Sequence, residues 1–168
     1  LGVPGLFMKA HAADAGVLYI IDSIGGTPES VTEDCTDSAG GWSYDAGTAT
    51  LTLDGFQGEY IEANGDINIV LKGKNKITIS AESTEGIKST GKVTIDDTIS
   101  PVQDCLDIYC SDGTESVSMI YTGGFGADYA TYIVGGTVNL VEENTRRRYV
   151  TGISRWAYVE NDASLNIN

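Results

Sequence analysis

The chain has 168 residues, 41% of them apolar, and a formal net charge of −14. That length fits one domain, and that apolar share can bury a core, which excludes a disordered chain. The charge excludes nucleic acid and disfavours adsorption to anionic lipid, because both partners are themselves negative. No apolar run reaches the roughly 18 residues that a spanning helix needs.

Residues 1–14 read as an extended arm. Gly2, Pro4 and Gly5 prevent a stable helix there, and Val3, Leu6, Phe7 and Met8 give the arm apolar surface to bury. Ala10-His11-Ala12 resembles the small-residue end of a secretory signal, so export through a signal peptide to the cell surface is expected. Val17-Leu18-Tyr19-Ile20-Ile21 follows, a strong strand by its β-branched and aromatic content. Arm and strand together are expected either to cap their own end or to add a strand to a neighbouring subunit. Residues 25–41 are polar and rich in glycine and acids, and read as a loop.

From Trp42 onward the chain is almost all strand and turn. One phrase recurs: an apolar residue, a four-residue step to a small position, then two apolar residues flanking a polar one. Its clearest copies are Ile61 to Gly65, Ile67 and Ile69, and Ile87 to Gly91, Val93 and Ile95. Others run from Tyr132 through Gly136 to Val138 and Leu140, and from Val159 through Ala163 to Leu165 and Ile167. Leu51-Thr-Leu53 opens the series and Val117-Ser-Met119 is a degraded copy, so the closing strands begin at 51, 67, 93, 117, 138 and 165. Period-2 strands recurring every ~20–50 residues are the signature of a solenoid. The inward positions are then Ile61, Ile67, Ile69, Ile87, Val93, Ile95, Val138, Leu140, Leu165 and Ile167. Residues 101–113 read as a longer excursion. Short helices have a place only in 101–108 or 142–148.

Gly41-Trp-Ser-Tyr-Asp45, Thr48-Ala-Thr-Leu-Thr-Leu53, Gly65-Asp-Ile-Asn-Ile-Val-Leu71-Lys-Gly73-Lys-Asn75-Lys-Ile77 and Gly86-Ile87 to Ile95 carry a family likeness. The stretch from about 41 to 97 resembles the β-helical carbohydrate-binding domain-containing proteins of Firmicutes surfaces, clostridial polysaccharide binders among them. The resemblance implies a right-handed parallel β-helix, secretion, and glycan and calcium binding. It transfers no catalytic residue.

The residues themselves offer little catalytic chemistry. The single histidine, His11, lies in the arm, so the body lacks a histidine base. Asp96-Asp97 and Asp104/Asp107 are the nearest carboxylate pairs for glycoside hydrolysis, and Arg155 or Lys92 the nearest base for a lyase. A non-enzyme is expected. The same four aspartates, Asp96, Asp97, Asp104 and Asp107, are the candidates for a calcium site, because turns supply oxygens. No other cofactor is implied. Tyr121, Tyr129, Tyr132, Trp156 and Tyr158 are the glycan-binding candidates, since sugar rings stack on such faces. Cys35, Cys105 and Cys110 are the disulfide candidates. Cys105 and Cys110 are close enough in sequence to bridge across a turn, although spacing alone does not fix connectivity.

Charge is polarised: residues 1–71 hold eleven acids and one base, Lys9, whereas Arg146, Arg147, Arg148 and Arg155 come late. The expectation is therefore an all-β solenoid of about six short coils over residues 15–168, with the extended arm before it. Two non-enzymatic roles suit it. One is a subunit of an extracellular, pilus-like filament, stacking head to tail with itself through residues 1–21 and the solenoid ends. The other is a monomeric cell-surface module that binds polysaccharide, with a lyase a distant third.

Overall fold

A computed structural model describes residues 17–80, 83–97, 104–110, 116–124, 126–142, 149–160 and 163–168. Val3, Leu6, Phe7, Met8, His11 and the 143–148 stretch lie outside these residues. The fold is all-β, with one 3-10 turn at Ala127–Tyr129 and no α-helix among the described residues.

Four strands open it: β1 (Leu18–Ile21), β2 (Glu29–Val31), β3 (Cys35–Asp37) and β4 (Trp42–Asp45). Strands then come in threes. The first set is β5 (Thr50–Asp54), β6 (Gln57–Gly58) and β7 (Tyr60–Ala63), and the second is β8 (Ile67–Lys72), β9 (Lys74–Ile79) and β10 (Glu85–Ser89). The third is β11 (Val93–Asp97), β12 (Cys105–Cys110) and β13 (Val117–Thr122), and the fourth is β14 (Thr131–Ile133), β15 (Gly136–Glu142) and β16 (Val150–Ile153). Last come β17 (Ala157–Val159) and β18 (Ala163–Ile167).

Each set gives one strand to each of three sheets. Sheet A runs β16-β13-β10-β7-β1-β2, sheet B runs β17-β14-β11-β8-β5-β4-β3, and sheet C runs β18-β15-β12-β9-β6. From β5 onward every neighbouring pair is parallel, and like residues stack: Ile61 with Ile87, Ile69 with Ile95, and Ile77 with Ile108. The first four strands pair antiparallel instead, β1 with β7 and β2, and β4 with β5 and β3.

Alternation sets which side is inside. In β8, Ile67, Ile69 and Leu71 are buried, while Asn68 and Lys72 face out. Such columns from all three sheets meet in one apolar core. Fully burying each isoleucine or leucine contributes ~1.5–3 kcal/mol. The phrase glycines have a packing reason. A Cβ on Gly91 would come within 2.6 Å of the Asp66 nitrogen, in the corner of the preceding set. A side chain there would push stacked corners apart.

Several expectations change. The strand Val17 to Ile21 is not held out for a neighbour. Leu18 and Ile20 are fully buried, and β1 pairs with β7 through Leu18–Ala63 and Ile20–Ile61. Tyr19 and Ile21 join the same intramolecular ladder, and the Val17 carbonyl accepts from the Asn64 N–H. The presumed 25–41 loop contains β2 and β3, whose edges extend the cap. The presumed excursion contains β12, whose Leu106, Ile108 and Cys110 point into the core. The six phrase strands are not equivalent positions either. Those at 51, 67 and 93 belong to sheet B, 117 to sheet A, and 138 and 165 to sheet C. The phrase marks a corner followed by a strand, and every set has several such corners. Eight of the ten expected inward residues are buried, but Leu165 is only partly covered and Ile167 is 69% exposed. These two lie on β18, an outer strand with nothing stacked beyond it among the described residues.

Candidate functional site: the outward face of sheet B

The alternation that buries one side of sheet B presents the other as two columns. In register they are Thr50, Asn68, Thr94, Tyr132 and Tyr158, and beside them Thr52, Val70 and Asp96. At ~4.8 Å between strands, the first column spans about 19 Å. Its polar half is ordered by local bonds. The Thr48 hydroxyl donates to Thr50 Oγ1 at 2.9 Å, and Asn68 Nδ2 donates to the Thr48 carbonyl at 3.2 Å.

The far half is aromatic. Tyr132 on β14 and Tyr158 on β17 stack with ring centroids 4.9 Å apart and planes 12° from parallel. Parallel register puts the two Cβ atoms side by side, so stacking follows from the ladder itself. Lys92 Nζ stands 5.8 Å from the Tyr132 centroid, and the Tyr132 hydroxyl donates to the Ala127 carbonyl at 3.2 Å. Lys92, Thr94, Tyr132 and Val134 line a shallow depression of about 220 Å³. A second depression of about 410 Å³ lies at the other end of this face, lined by Thr36, Ser43, Asp45, Thr50 and Thr52 among others. Trp156 precedes β17 by one residue, shares the parity of Tyr158 and is 58% exposed.

The five aromatic candidates therefore separate. Tyr132 and Tyr158 form the platform and Trp156 is at its margin. Tyr129 closes the 3-10 turn, its ring packed against Gly124 and its carbonyl accepting from the Thr122 hydroxyl. Tyr121 is on sheet A, with the Arg155 guanidinium 5.9 Å from its ring centroid.

The other two outward faces are bonded within themselves. On sheet A, Lys88 pairs with Glu62 at 3.1 Å and the Tyr60 hydroxyl donates to Glu62 Oε2 at 2.8 Å. Burial first, then that carboxylate, pushes the Tyr60 hydroxyl well above the usual tyrosine range. On sheet C, Asn166 Nδ2 donates to Asn139 Oδ1 at 2.8 Å, and Asn139 Nδ2 donates to Asp107 Oδ1 at 2.6 Å.

The calcium candidates do not converge. Asp96 and Asp97 end β11 in sheet B, whereas Asp104 precedes β12 and Asp107 lies on β12 in sheet C. Asp96 accepts from the Asp97 N–H at 2.8 Å, Asp104 from the Gly73 N–H at 2.7 Å, and Asp107 from Asn139. No group of three metal-ligating side chains occurs among the described residues. The Asp104 and Asp107 oxygens tie neighbouring turns and strands together, whereas the Asp96 bond is to the residue that follows it.

The cysteines correct a second expectation. Cys105 and Cys110 terminate one extended strand, so their Cα atoms are about 16 Å apart at ~3.3 Å per residue, far beyond the disulfide range. Cys35 is exposed on β3, and none of the three is in a disulfide. Burial pushes the Cys105 thiol up, and the nearby Asp107 charge adds to the effect.

Sequence reasoning missed Asn68 and Thr94 as surface-forming residues. They were legible as the polar middle positions of the repeated phrase. Lys92 entered only as a possible lyase base, and its position beside Tyr132 depends on which strands are neighbours. No protein-family model, curated protein or solved structure matches this chain.

Proposed function

We propose that this is a non-enzymatic, extracellular carbohydrate-binding protein with the architecture of a right-handed parallel β-helix. The winding reading rests on the strand order: successive strands visit three sheets in a fixed cycle, and equivalent residues stack in parallel register. Parallel crossovers are right-handed in nearly all cases, because a twisted strand packs back onto its sheet only that way. The export-like Ala10-His11-Ala12 segment supports an extracellular location.

The observation that carries the binding reading is the stacked Tyr132–Tyr158 pair on an outward, otherwise polar face. A pyranose offers C–H groups on its ring faces and hydroxyls at its rim. Tyrosine rings take the first, and the Thr94, Asn68 and Lys92 side chains take the second. Both features lie along one line across the strands, so an extended glycan is the natural occupant. The resemblance of residues 41–97 to clostridial polysaccharide binders agrees with this assignment.

Co-sedimentation with insoluble cellulose and xylan tests it. The intact chain should sediment with at least one of them. Tyr132→Ala should weaken retention roughly ten-fold, the equivalent of about 1.4 kcal/mol. Equal retention of the variant, or no retention of the intact chain on these or on pectin, removes the assignment. Release of reducing or unsaturated ends from these polymers removes the non-enzymatic reading.

A further inference from the structure

The two tyrosines of sheet B do not offer two free ring faces side by side. Their planes lie 12° from parallel with centroids 4.9 Å apart. Rings that close overlap face to face, because two rings lying beside each other in one plane would collide at this separation. Each ring therefore covers one face of the other. In sheet B, β14 lies between β17 and β11, so the face of Tyr132 that Tyr158 covers is the one toward β17. The other face of Tyr132 is turned toward β11 and Thr94.

That second face borders a hollow. Thr94 stands beside Tyr132 in the ladder and is much shorter, so the ring rises above it as a wall. Lys92, Thr94, Tyr132 and Val134 enclose the depression of about 220 Å³ at the foot of this wall. Thr94 is its floor, and Lys92 and Val134 stand to either side. Lys92 precedes β11 by one residue, its Nζ is 5.8 Å from the Tyr132 centroid, and it joins no ion pair among the described residues. The wall is fixed at two points: Tyr158 backs it, and its hydroxyl donates to the Ala127 carbonyl at 3.2 Å. Little side-chain freedom is therefore lost when a ligand arrives.

We propose that this face grips its glycan by a single sugar ring, at a chain end or a side branch, rather than along a run of backbone residues. The inference rests on the carbohydrate-binding reading above and narrows it. A sugar stacked on the Thr94 side of Tyr132 stands edge-on to the sheet. Its rim hydroxyls then meet the Thr94 hydroxyl and the three N–H donors of Lys92. With a floor below and a side chain on either flank, only the outward part of the rim is clear. A mid-chain residue carries neighbours at two places on its rim, and one of them would run into the floor or a flank. A terminal or branch residue carries one neighbour, which leaves toward solvent. The positions that continue the column past Thr94 are Asn68 and Thr50, which offer no second ring to stack on.

Isothermal titration calorimetry of the full chain with cello- and xylo-oligosaccharides of two to six units tests this. For whichever series binds, Kd should change by less than about three-fold across these lengths. Thr94→Tyr fills the depression with a third stacked ring and should weaken binding about ten-fold or more at an unchanged melting temperature. A Kd that tightens with every added unit shows a glycan lying along the tyrosines and overturns the inference, while the sheet B assignment stands. A folded Thr94→Tyr chain that binds as well as the intact one, or better, does the same. The length series decides alone should Thr94→Tyr not fold. No binding by the intact chain at any length overturns the carbohydrate-binding assignment itself, so the two failures are told apart.

Discussion

Asn75 shows how much a single residue settles in this molecule. It is 1% exposed, and all of its polar capacity is directed inward. Its Oδ1 accepts from the Phe56 N–H at 3.0 Å, and its Nδ2 donates to the Cys105 carbonyl at 3.2 Å and the Lys72 carbonyl at 3.3 Å. The side chain thereby pins β9 to the strands on both sides of it in sheet C. Asn75→Leu should lower stability by ~1–3 kcal/mol for each backbone group left buried and unpaired, measured by chemical denaturation. Thr131 is the opposite case. It is fully buried between Val93 and Ala157, and its hydroxyl has no hydrogen-bond partner among the described residues. Thr131→Val keeps the shape and removes the unpaired group, so it should stabilise the protein by about 1 kcal/mol. An unchanged or lowered melting temperature would show that the hydroxyl is satisfied.

Elements inherit their value from what stacks on them. Ile95 lies between Ile69 and Ile133 in sheet B and is fully buried, so Ile95→Ala should cost ~2–5 kcal/mol. Ile167 has the same inward parity but, among the described residues, a strand neighbour on one side only and 69% exposure, so Ile167→Ala should cost well under half as much. Equal losses in urea unfolding would contradict the order of layers. The same logic explains what the sequence showed and what it hid. The alternation around Ile67, Ile69, Val93 and Ile95 announced strands and their buried side, because local period fixes facing. It did not announce that Val117 and Val138 sit in different sheets, because each corner repeats the same local phrase. Cys105 to Cys110 read as part of a longer excursion over residues 101–113, yet Leu106, Ile108 and Cys110 alternate inward. Long-range pairing with Ile77 and Leu140 decides that strand. Glu29 to Asp37 read as a polar loop because these two edge strands bury a single apolar side chain, Val31, and show no alternation.

At the scale of the whole molecule, the three sheets present three outward faces of different character. Two are bonded within themselves, and the third carries the stacked tyrosines in line with threonine and asparagine. Neighbouring strands, distant in sequence, create that line, so the platform was invisible while Tyr121, Tyr129, Tyr132, Trp156 and Tyr158 counted as one cluster. The most direct test of the account is an amide NMR titration of the full chain with soluble cello- and xylo-oligosaccharides. Dose-dependent shifts are expected, confined to sheet B at Asn68, Thr94, Tyr132 and Tyr158, and lost in Tyr132→Ala. Shifts centred on sheet A around Tyr121 or on sheet C around Asn139, or none with any glycan, would contradict it.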